Sequence, residues 1–395
     1  MRQPPVRRPS LLVLVMIASI GPLALQVLVP AMPGLASDFG TDFSITQMSL
    51  SVYLVGMVVG QLVYGPLSDR FGRRPVLMAG LVVYVGGTLF CLVAWDIVPL
   101  IIGRAFQALG GSAGIVLARA IIRDIHDREG SAQMLAYATA GMILAPMIGA
   151  IAGGYLYEWY GWQSVMLLVL VIGLLVTGVC IFGLSETNTR RTSRTSFRDI
   201  ARDCARLLRK RRFLGYALQV TFTTATFFTF LGGASAVAVV IYGRSPSEYA
   251  LWFVLVSGSY MTGNFISGRI SRRVGIDRMI TIGTVVSSAA ALVMMILFVS
   301  GWFGLVHFFL LAGMMSLGNG FSMPNGFAGI VSVEPGRAGT ASGLSGALQM
   351  SLGAIAMTVI GHTLAESPLP VIVIMLVLSL LALIAHLHGT RGEVP

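Results

Sequence analysis

Long apolar runs and short polar segments alternate along almost the whole chain. Many of the runs approach the ~20 residues that cross a bilayer as a helix, and all exceed the ~10 residues of a membrane β-strand. The pattern therefore predicts an all-α membrane protein. We place twelve transmembrane helices at residues 11 to 31, 46 to 66, 75 to 95, 99 to 121, 131 to 156, 163 to 184, 213 to 242, 248 to 268, 278 to 299, 302 to 325, 339 to 361 and 369 to 388.

The composition supports this interpretation. Of 395 residues, 55% are hydrophobic and 11% charged, against about a quarter charged in soluble proteins. The first run is longer than the apolar core of a signal peptide, so we keep it as a span. Cys91, Cys180 and Cys204 fall in two spans and one polar segment, which implies no disulfide framework.

The net charge of +11 has a topological explanation. Counting from the N-terminus, 25 of the 27 basic residues fall on one side of the predicted membrane, and only Arg244 and Arg104 do not. Positive residues accumulate on the cytoplasmic side. We therefore predict that both termini are cytoplasmic, that the partner of this charge is the lipid bilayer, and that nucleic acid is not a partner.

The longest polar segment divides the spans six and six. It predicts an N-terminal bundle at 1–185, a cytoplasmic linker at 186–212 and a C-terminal bundle at 213–395. Within the linker, Ser196 and Asp199 have the spacing of a capping box, and apolar residues follow on one helical face. We expect an amphipathic helix on the cytoplasmic leaflet with its cations near anionic headgroups. The alternative is a solvated linker.

The two halves repeat. Gly60–Gly65 aligns with Gly263–Gly268 at an offset of 203 residues, and the same offset places Asp69 on Arg272. Two parallel six-helix repeats predict a substrate site between them near the membrane midplane. The second copy has lost the acidic residue.

Three motifs resemble those of the major facilitator superfamily, and within it the bicyclomycin-resistance (Bcr/CflA) group of drug exporters. They are the charged segment from Gly65 to Arg74, the basic motif that starts at Arg104 in span 4, and the antiporter motif of span 5. The last comprises Gly141, Pro146 and Gly149, with Ala145 where many members have glycine. The resemblance implies alternating access, export of small molecules, a bacterial inner membrane, a monomer and no cofactor apart from protons.

The charged segment is the first candidate site. Asp69 is placed to pair with Arg119 or Arg123 and to face the N-terminus of span 11 around Gly339. The resemblance implies a conformational latch, and Gly65 and Gly72 suit a tight turn there. In the alternative, the arginines of this segment only fix its position on the cytoplasmic side of the membrane. The predicted latch residues are Gly65, Asp69, Arg70, Gly72, Arg73, Arg119 and Arg123.

Arg104 is the second candidate, because a guanidinium within a span costs about 2.5 to 3.5 kcal/mol. It must face a cavity or a partner, and Gln107 shares its helical face. The resemblance implies a role in proton coupling or substrate binding. The alternative is an arginine that extends to the membrane surface.

The usual proton carrier is absent. All sixteen acidic residues lie in loops or at predicted span ends, and Gln26 stands where the exporters commonly have an acid in span 1. An amide cannot carry a proton at physiological pH. Proton-coupled antiport would then need His307 or an ionisable group of the substrate, or transport is uncoupled from protons.

For the substrate cavity we select polar and aromatic residues within the spans. With Arg104 positive and no acid beside them, we expect neutral or anionic substrates. The selected residues are Tyr53, Tyr216, Gln219, Phe222, Phe227, Tyr260, Asn264, Asn319 and Gln349.

The sequence thus predicts an inner-membrane exporter of drug-like or metabolite-like molecules. The alternatives are an exporter or uncoupled facilitator of one endogenous metabolite, and a membrane sensor that does not transport. An enzyme is not expected, because the chain has no phosphate-binding loop, no cluster of metal ligands and no nucleophile with a paired base.

Overall fold

The computed structural model describes residues 9–125, 128–188, 197–334, 337–364 and 367–390, and within these ranges every regular element is helical. The helices are α1 Leu11–Val27, α2 Met32–Asp38, α3 Phe43–Phe71, α4 Arg73–Leu92, α5 Ile97–Ile125, α6 Arg128–Tyr160, α7 Trp162–Gly183, α8 Phe197–Leu208, α9 Arg211–Ala236, α10 Pro246–Val274, α11 Ile276–Val299, α12 Leu305–Ser332, α13 Ala338–Thr363 and α14 Leu369–Thr390. A 3₁₀ turn, Val29–Ala31, follows α1, and a π-helical turn, Val237–Ile241, follows α9.

The chain divides into two compact units, Met1–Thr195 and Ser196–Pro395. Helices α1 to α7 belong to the first unit and α8 to α14 to the second.

The predicted membrane spans are present. Within the described residues, eleven helical segments are long and apolar enough to cross a membrane. The remaining predicted span, 248 to 268, lies in α10, which has 29 residues but a more polar composition.

The first span is interrupted. A continuous helix was expected from residue 11 to 31, but α1 ends at Val27, and the chain passes through the 3₁₀ turn into α2. Pro30 lies in that turn and Pro33 in the first turn of α2. Neither residue has an N–H to continue the helical hydrogen bonds, which explains the break.

Corresponding helices pack together within each unit. Helix α4 packs on α5 as α11 does on α12, and α1 packs on α6 as α9 does on α13. Glycines permit two of these contacts: a Cβ on Gly110 would lie 2.4 Å from the carbonyl oxygen of Gly80, and one on Gly318 would lie 2.4 Å from that of Gly283. Close helix contacts of this kind are typical of membrane bundles.

The charged segment is mostly helical, so the expected tight turn that begins at Gly65 is wrong. Helix α3 continues to Phe71 through Pro66, because the polar residues of its last two turns can remain helical in water. Gly65 has a helical backbone and open space around it. The turn is confined to Gly72, whose φ of 105° favours glycine, and Gly275 repeats it in the second unit with a φ of 92°.

The predicted linker contains the helix α8. Its Leu207 is fully buried against Phe213, Tyr216, Ile330 and Ala341, so this part of the helix is docked on the second unit. The proposed capping residue Ser196 lies outside the described residues.

Candidate functional site

Arg104 lies at the centre of a buried polar cluster in the first unit. Its side chain is 0% exposed. The Nη1 group donates to the carbonyl oxygen of Ala24 at 2.9 Å and to Oε1 of Gln107 at 2.5 Å. Gln107 in turn donates through Nε2 to the hydroxyl of Thr88 at 2.8 Å. The two residues that the sequence placed on one face of span 4 therefore do interact, and α1 and α4 complete the cluster.

An aromatic ring completes the surroundings of this cation. The guanidinium carbon of Arg104 lies 4.1 Å from the centre of the Tyr53 ring, a distance that gives a cation–π attraction. The Tyr53 hydroxyl donates to the carbonyl oxygen of Gly21 at 2.8 Å, which holds the ring in place. Tyr53 was selected from the sequence separately from Arg104 and Gln107, and the structure brings the three together.

One edge of the guanidinium has no partner. Within the described residues, Nε and Nη2 of Arg104 are buried and make no hydrogen bond. Arginine has five N–H groups, and Nε with Nη2 form the edge that binds a carboxylate or phosphate through two parallel bonds. Leaving such donors buried and unpaired costs about 1 to 3 kcal/mol or more. The arrangement is suited to a ligand that brings an anionic or strongly accepting group.

Further unpaired polar atoms occur in the same unit. Gln26 is 2% exposed, and its Nε2 has no hydrogen-bond partner within the described part of the chain. The same is true of the hydroxyls of Ser19 and Tyr84. The carboxylates of this unit that the structure describes lie at helix ends or between helices. Arg104 therefore has no acidic partner among the described residues.

The second unit has a polar seam between α9 and α13. The hydroxyl of Thr224 donates to Oε1 of Gln349 at 3.0 Å, and Nε2 of Gln349 donates to the carbonyl oxygen of Ser345 at 3.0 Å. Near it on α9, Nε2 of Gln219 donates to the Thr223 hydroxyl at 3.1 Å, while Oε1 of Gln219 has no partner among the described residues. Gln219 lies beside Gly326 of α12, and Thr224, which the sequence analysis missed, connects α9 to Gln349.

The other predicted cavity residues are more dispersed. Tyr216 donates to Oδ1 of Asp277 at 2.7 Å and packs near His386, so it joins the starts of α9 and α11 to the end of α14. Tyr260 and Asn264 form a hydrogen-bonded pair on α10. The remaining three differ in exposure: Phe222 and Phe227 on α9 are half-buried, and Asn319 on α12 is buried.

The charges at the end of α3 pair differently from the prediction. Oδ1 of Asp69 pairs with Nη1 of Arg73 at 2.5 Å, and Nε of Arg73 pairs with Oδ2 of Asp124 at 2.9 Å. The expected partners Arg119 and Arg123 make no ion pair with Asp69 in the described structure. Arg73 is nearer because α4 begins directly after Gly72, so only three residues separate Asp69 from Arg73 in the chain. Arg70 lies over the ring of its neighbour Phe71, 5.1 Å from the centre.

Glu186 ties the end of α7 to the start of α4. Its carboxylate accepts from the backbone N–H groups of Arg73 at 2.9 Å and Arg74 at 3.2 Å, and from those of Thr187 and Asn188. The first N–H groups of a helix have no acceptor within the helix, and a negative charge there is favourable. Sequence analysis missed this cap because its two parts are more than a hundred residues apart.

Replacing Glu186 with alanine is expected to loosen the first turn of α4. The backbone N–H groups of Arg73 and Arg74 would lose their acceptor, at a cost of about 1 kcal/mol. Hydrogen exchange should accelerate at these two amides and not along the middle of α4. Asp96→Ala is the matched control, since Asp96 caps α5 locally through Ile97. If exchange in α4 responds equally to both variants, Glu186 has no specific role.

The antiporter motif packs α6 on α1. A Cβ on Gly141 would lie 2.2 Å from Cγ1 of Val15, and one on Gly149 would lie 2.8 Å from Cγ2 of Val27. At Gly153 a Cβ would lie 2.0 Å from the carbonyl oxygen of Val27. Pro146 lies inside the helix between these glycines. The motif is therefore a close-packing surface in this structure.

Gly153→Ala is expected to destabilise the first unit by a net ~1 kcal/mol, because overpacking costs more than the helix propensity that alanine adds. The thermal unfolding midpoint of the purified protein in detergent should fall by a few degrees. Gly178→Ala in α7 is the control, since a Cβ there meets nothing within 4 Å. Equal midpoints for the two variants would contradict the packing interpretation.

No described residues form a group of three or more His, Cys, Asp or Glu side chains that could hold a metal ion. His307, one proposed carrier of protons, is exposed in the first turn of α12.

Comparison with known proteins gives a consistent result. Residues 14–357 match the family profile described as Major Facilitator Superfamily. The uncharacterized MFS-type transporter YdgK of Bacillus subtilis is 29% identical over 387 residues, which cover 96% of this chain and 94% of the relative. The bicyclomycin resistance protein homolog of Haemophilus influenzae is 26% identical over 391 residues, 94% of each chain. Multidrug resistance protein D of Escherichia coli is 27% identical over 342 residues, 86% of this chain and 85% of the relative.

Solved structures support the fold. A bacterial homolog of the human lysosomal transporter Spinster superposes with a TM-score of 0.76 at 14% sequence identity, over 98% of this chain and 97% of that chain. At this identity the likeness concerns the fold alone.

Proposed function

The chain belongs to the Major Facilitator Superfamily, and from this premise we propose that it exports drug-like or metabolite-like small molecules by alternating access. It is a multi-pass membrane transporter of small molecules and not an enzyme. The proposal of drug export draws on the relatives named for bicyclomycin and multidrug resistance. Both termini are proposed to be cytoplasmic, and the transporter is proposed to act as a monomer.

The observation that carries the proposal is the unpaired edge of Arg104. A buried cation without an acidic partner among the described residues, but with Nε and Nη2 free, is suited to bind an anionic or strongly accepting group of a substrate. The Tyr53 ring covers one face of the guanidinium and leaves the edge formed by Nε and Nη2 for a ligand. We propose that this edge binds neutral or anionic amphiphiles.

Growth under a panel of antibiotics tests this proposal. A strain that expresses the chain should tolerate neutral phenicol-type drugs better than the same strain with an empty vector, and ethidium-like cations should be exported poorly. Resistance to the cations alone would contradict the proposed substrate class. No resistance to any compound, with the protein present in the membrane, would favour the sensor.

For energy coupling we propose proton antiport in which the proton is carried by a group other than residue 26. In vesicles that contain the wild-type chain, collapse of the pH gradient should then stop substrate accumulation. Gln26→Asp should make transport more sensitive to the gradient, because a carboxyl group can exchange protons at that position. Accumulation in the wild type that survives collapse of the pH gradient would contradict antiport.

The second candidate is facilitated export without protons, favoured by the absence of an acid beside Arg104 among the described residues. Export of an anion is favourable in a cell with a negative interior, by about 2.3 kcal/mol per charge at 100 mV. Collapse of the membrane potential alone, with the pH gradient kept, distinguishes this candidate from antiport.

A further inference from the structure

The helix α8 carries a groove lined almost entirely by cations. Four basic side chains and one alanine surround a volume of about 520 Å³. The spacing of Arg202, Arg206 and Arg209, four and then three residues apart, places them on one side of the helix. All three side chains are exposed. Lys210, at the end of the groove, completes the set.

Ion pairs hold α8 in a fixed orientation. Asp203 pairs with Nε of Arg337 at 2.7 Å, and Oε2 of Glu334 lies 2.9 Å from Nζ of Lys210. Arg337 also pairs with Glu334. The Lys210 ammonium and the Arg337 guanidinium hold the pKa of the Glu334 carboxyl below its ordinary range, so this carboxylate is ionised at neutral pH. With Leu207 buried in the core, Arg202, Arg206 and Arg209 stay exposed on α8.

These acids do not neutralise the groove. Among these named residues, the two carboxylates Asp203 and Glu334 face five cations, which are the four of the groove and Arg337. The side chain of Arg209 has no hydrogen-bond or ion-pair partner within the part of the chain that the structure describes. A compact cationic site is complementary to a phosphate group.

The position of the groove indicates the source of that phosphate. Helix α8 ends at Leu208 and the membrane-spanning helix α9 begins at Arg211, so Arg209 and Lys210 lie between them. Arg209 is four residues before Phe213, the first buried apolar residue of α9. Leu208, next to the groove, is 41% exposed and offers an apolar contact. This is the level at which phospholipid headgroups lie.

We propose that the groove formed by Arg202, Arg206, Arg209 and Lys210 binds the headgroup phosphate of an anionic phospholipid of the cytoplasmic leaflet. The site is distinct from the transport site, and the lipid anchors α8 next to the membrane. It gives the linker a defined ligand in place of a diffuse attraction between cations and the bilayer.

Native mass spectrometry of the full-length protein tests the proposal, with phosphatidylglycerol and phosphatidylcholine supplied in equal amounts. The wild type should retain phosphatidylglycerol in preference. Arg209→Gln should lower that retention about fivefold, the factor that corresponds to one cation near a membrane surface. The triple variant Arg202→Gln/Arg206→Gln/Arg209→Gln should remove the preference. Because the side chain of Arg209 has no internal partner among the described residues, its single variant decides the question even if the triple variant fails to fold.

The control removes three charges elsewhere in the same unit. Arg272→Gln/Arg273→Gln/Arg278→Gln replaces exposed arginines at the end of α10 and the start of α11, and it should retain phosphatidylglycerol as the wild type does. An equal loss in the control would show that net charge alone attracts the lipid, and would overturn the site. Displacement of phosphatidylglycerol by millimolar glycerol 3-phosphate would assign the groove to a soluble phosphate and overturn the lipid. Unchanged retention in Arg209→Gln and in the triple variant would also overturn it.

Discussion

Arg104→Lys and Arg104→Gln are both expected to reduce transport about tenfold or more while the protein still reaches the membrane. Lysine keeps the charge but loses the edge formed by Nε and Nη2, and glutamine loses the charge as well. A hydrogen bond to a charged group contributes about 1.5 to 3 kcal/mol, which corresponds to roughly ten- to a hundredfold in affinity. Uptake of a radiolabelled phenicol-type drug into inside-out vesicles, normalised to the amount of protein, measures the effect.

Controls separate binding at this edge from a general effect of charge. Arg244→Gln removes an arginine that is half exposed and pairs with Glu248, and it should leave transport unchanged. Tyr53→Phe keeps the ring over the guanidinium and should have a small effect, whereas Tyr53→Leu should weaken substrate binding. Full transport by Arg104→Lys would show that the edge formed by Nε and Nη2 does not bind the substrate, and the proposed substrate site would be wrong.

The membrane fold was predictable because it depends on composition and periodicity. Runs of about twenty apolar residues have few stable structures in a bilayer other than helices, so the helical membrane fold was predicted correctly. The superfamily was predicted from the resemblance of three motifs. The ends of helices were less predictable. The segment from Gly65 to Phe71 was expected to be a loop because of its charge, yet polar residues extend α3 until Gly72 ends it. The local signal that matters there is the positive φ of a single glycine.

The interactions of the candidate sites were only partly predictable. The helical spacing of Arg104 and Gln107 was sufficient to place them together, because that contact lies within one turn. The contacts with Ala24 and Thr88 depend on which helices are neighbours, and no periodicity contains that information. For the same reason Glu186 was missed. The partner of Asp69 was assigned across helices, and a nearer arginine on the next helix pairs with it instead.

Asp69→Asn is expected to lower transport about tenfold without lowering the amount of protein in the membrane. The variant keeps the shape of the side chain but removes the charge that pairs with Arg73, whose side chain is only 11% exposed. Hydrogen bonds between charged groups contribute about 1.5 kcal/mol at the low end of their range. The low end applies here because Asp69 is 42% exposed, and water weakens the attraction between exposed charges. We propose that this pair stabilises one state of the transport cycle, so its loss changes the balance between states. Vesicle uptake at saturating substrate measures the rate.

Asp42→Asn is the matched control for this experiment. It makes the same change at the other end of α3, where the Asp42 side chain makes no capping hydrogen bond, and it should leave the rate unchanged. A double variant adds a test of the pairing: if Asp69 acts through Arg73, then Asp69→Asn combined with Arg73→Gln should lose less than the product of the two separate losses. Normal transport by Asp69→Asn would refute the latch, and multiplicative losses would show that Asp69 acts on another partner. Since Asp124 also pairs with Arg73, Asp124→Asn should produce a loss in the same direction.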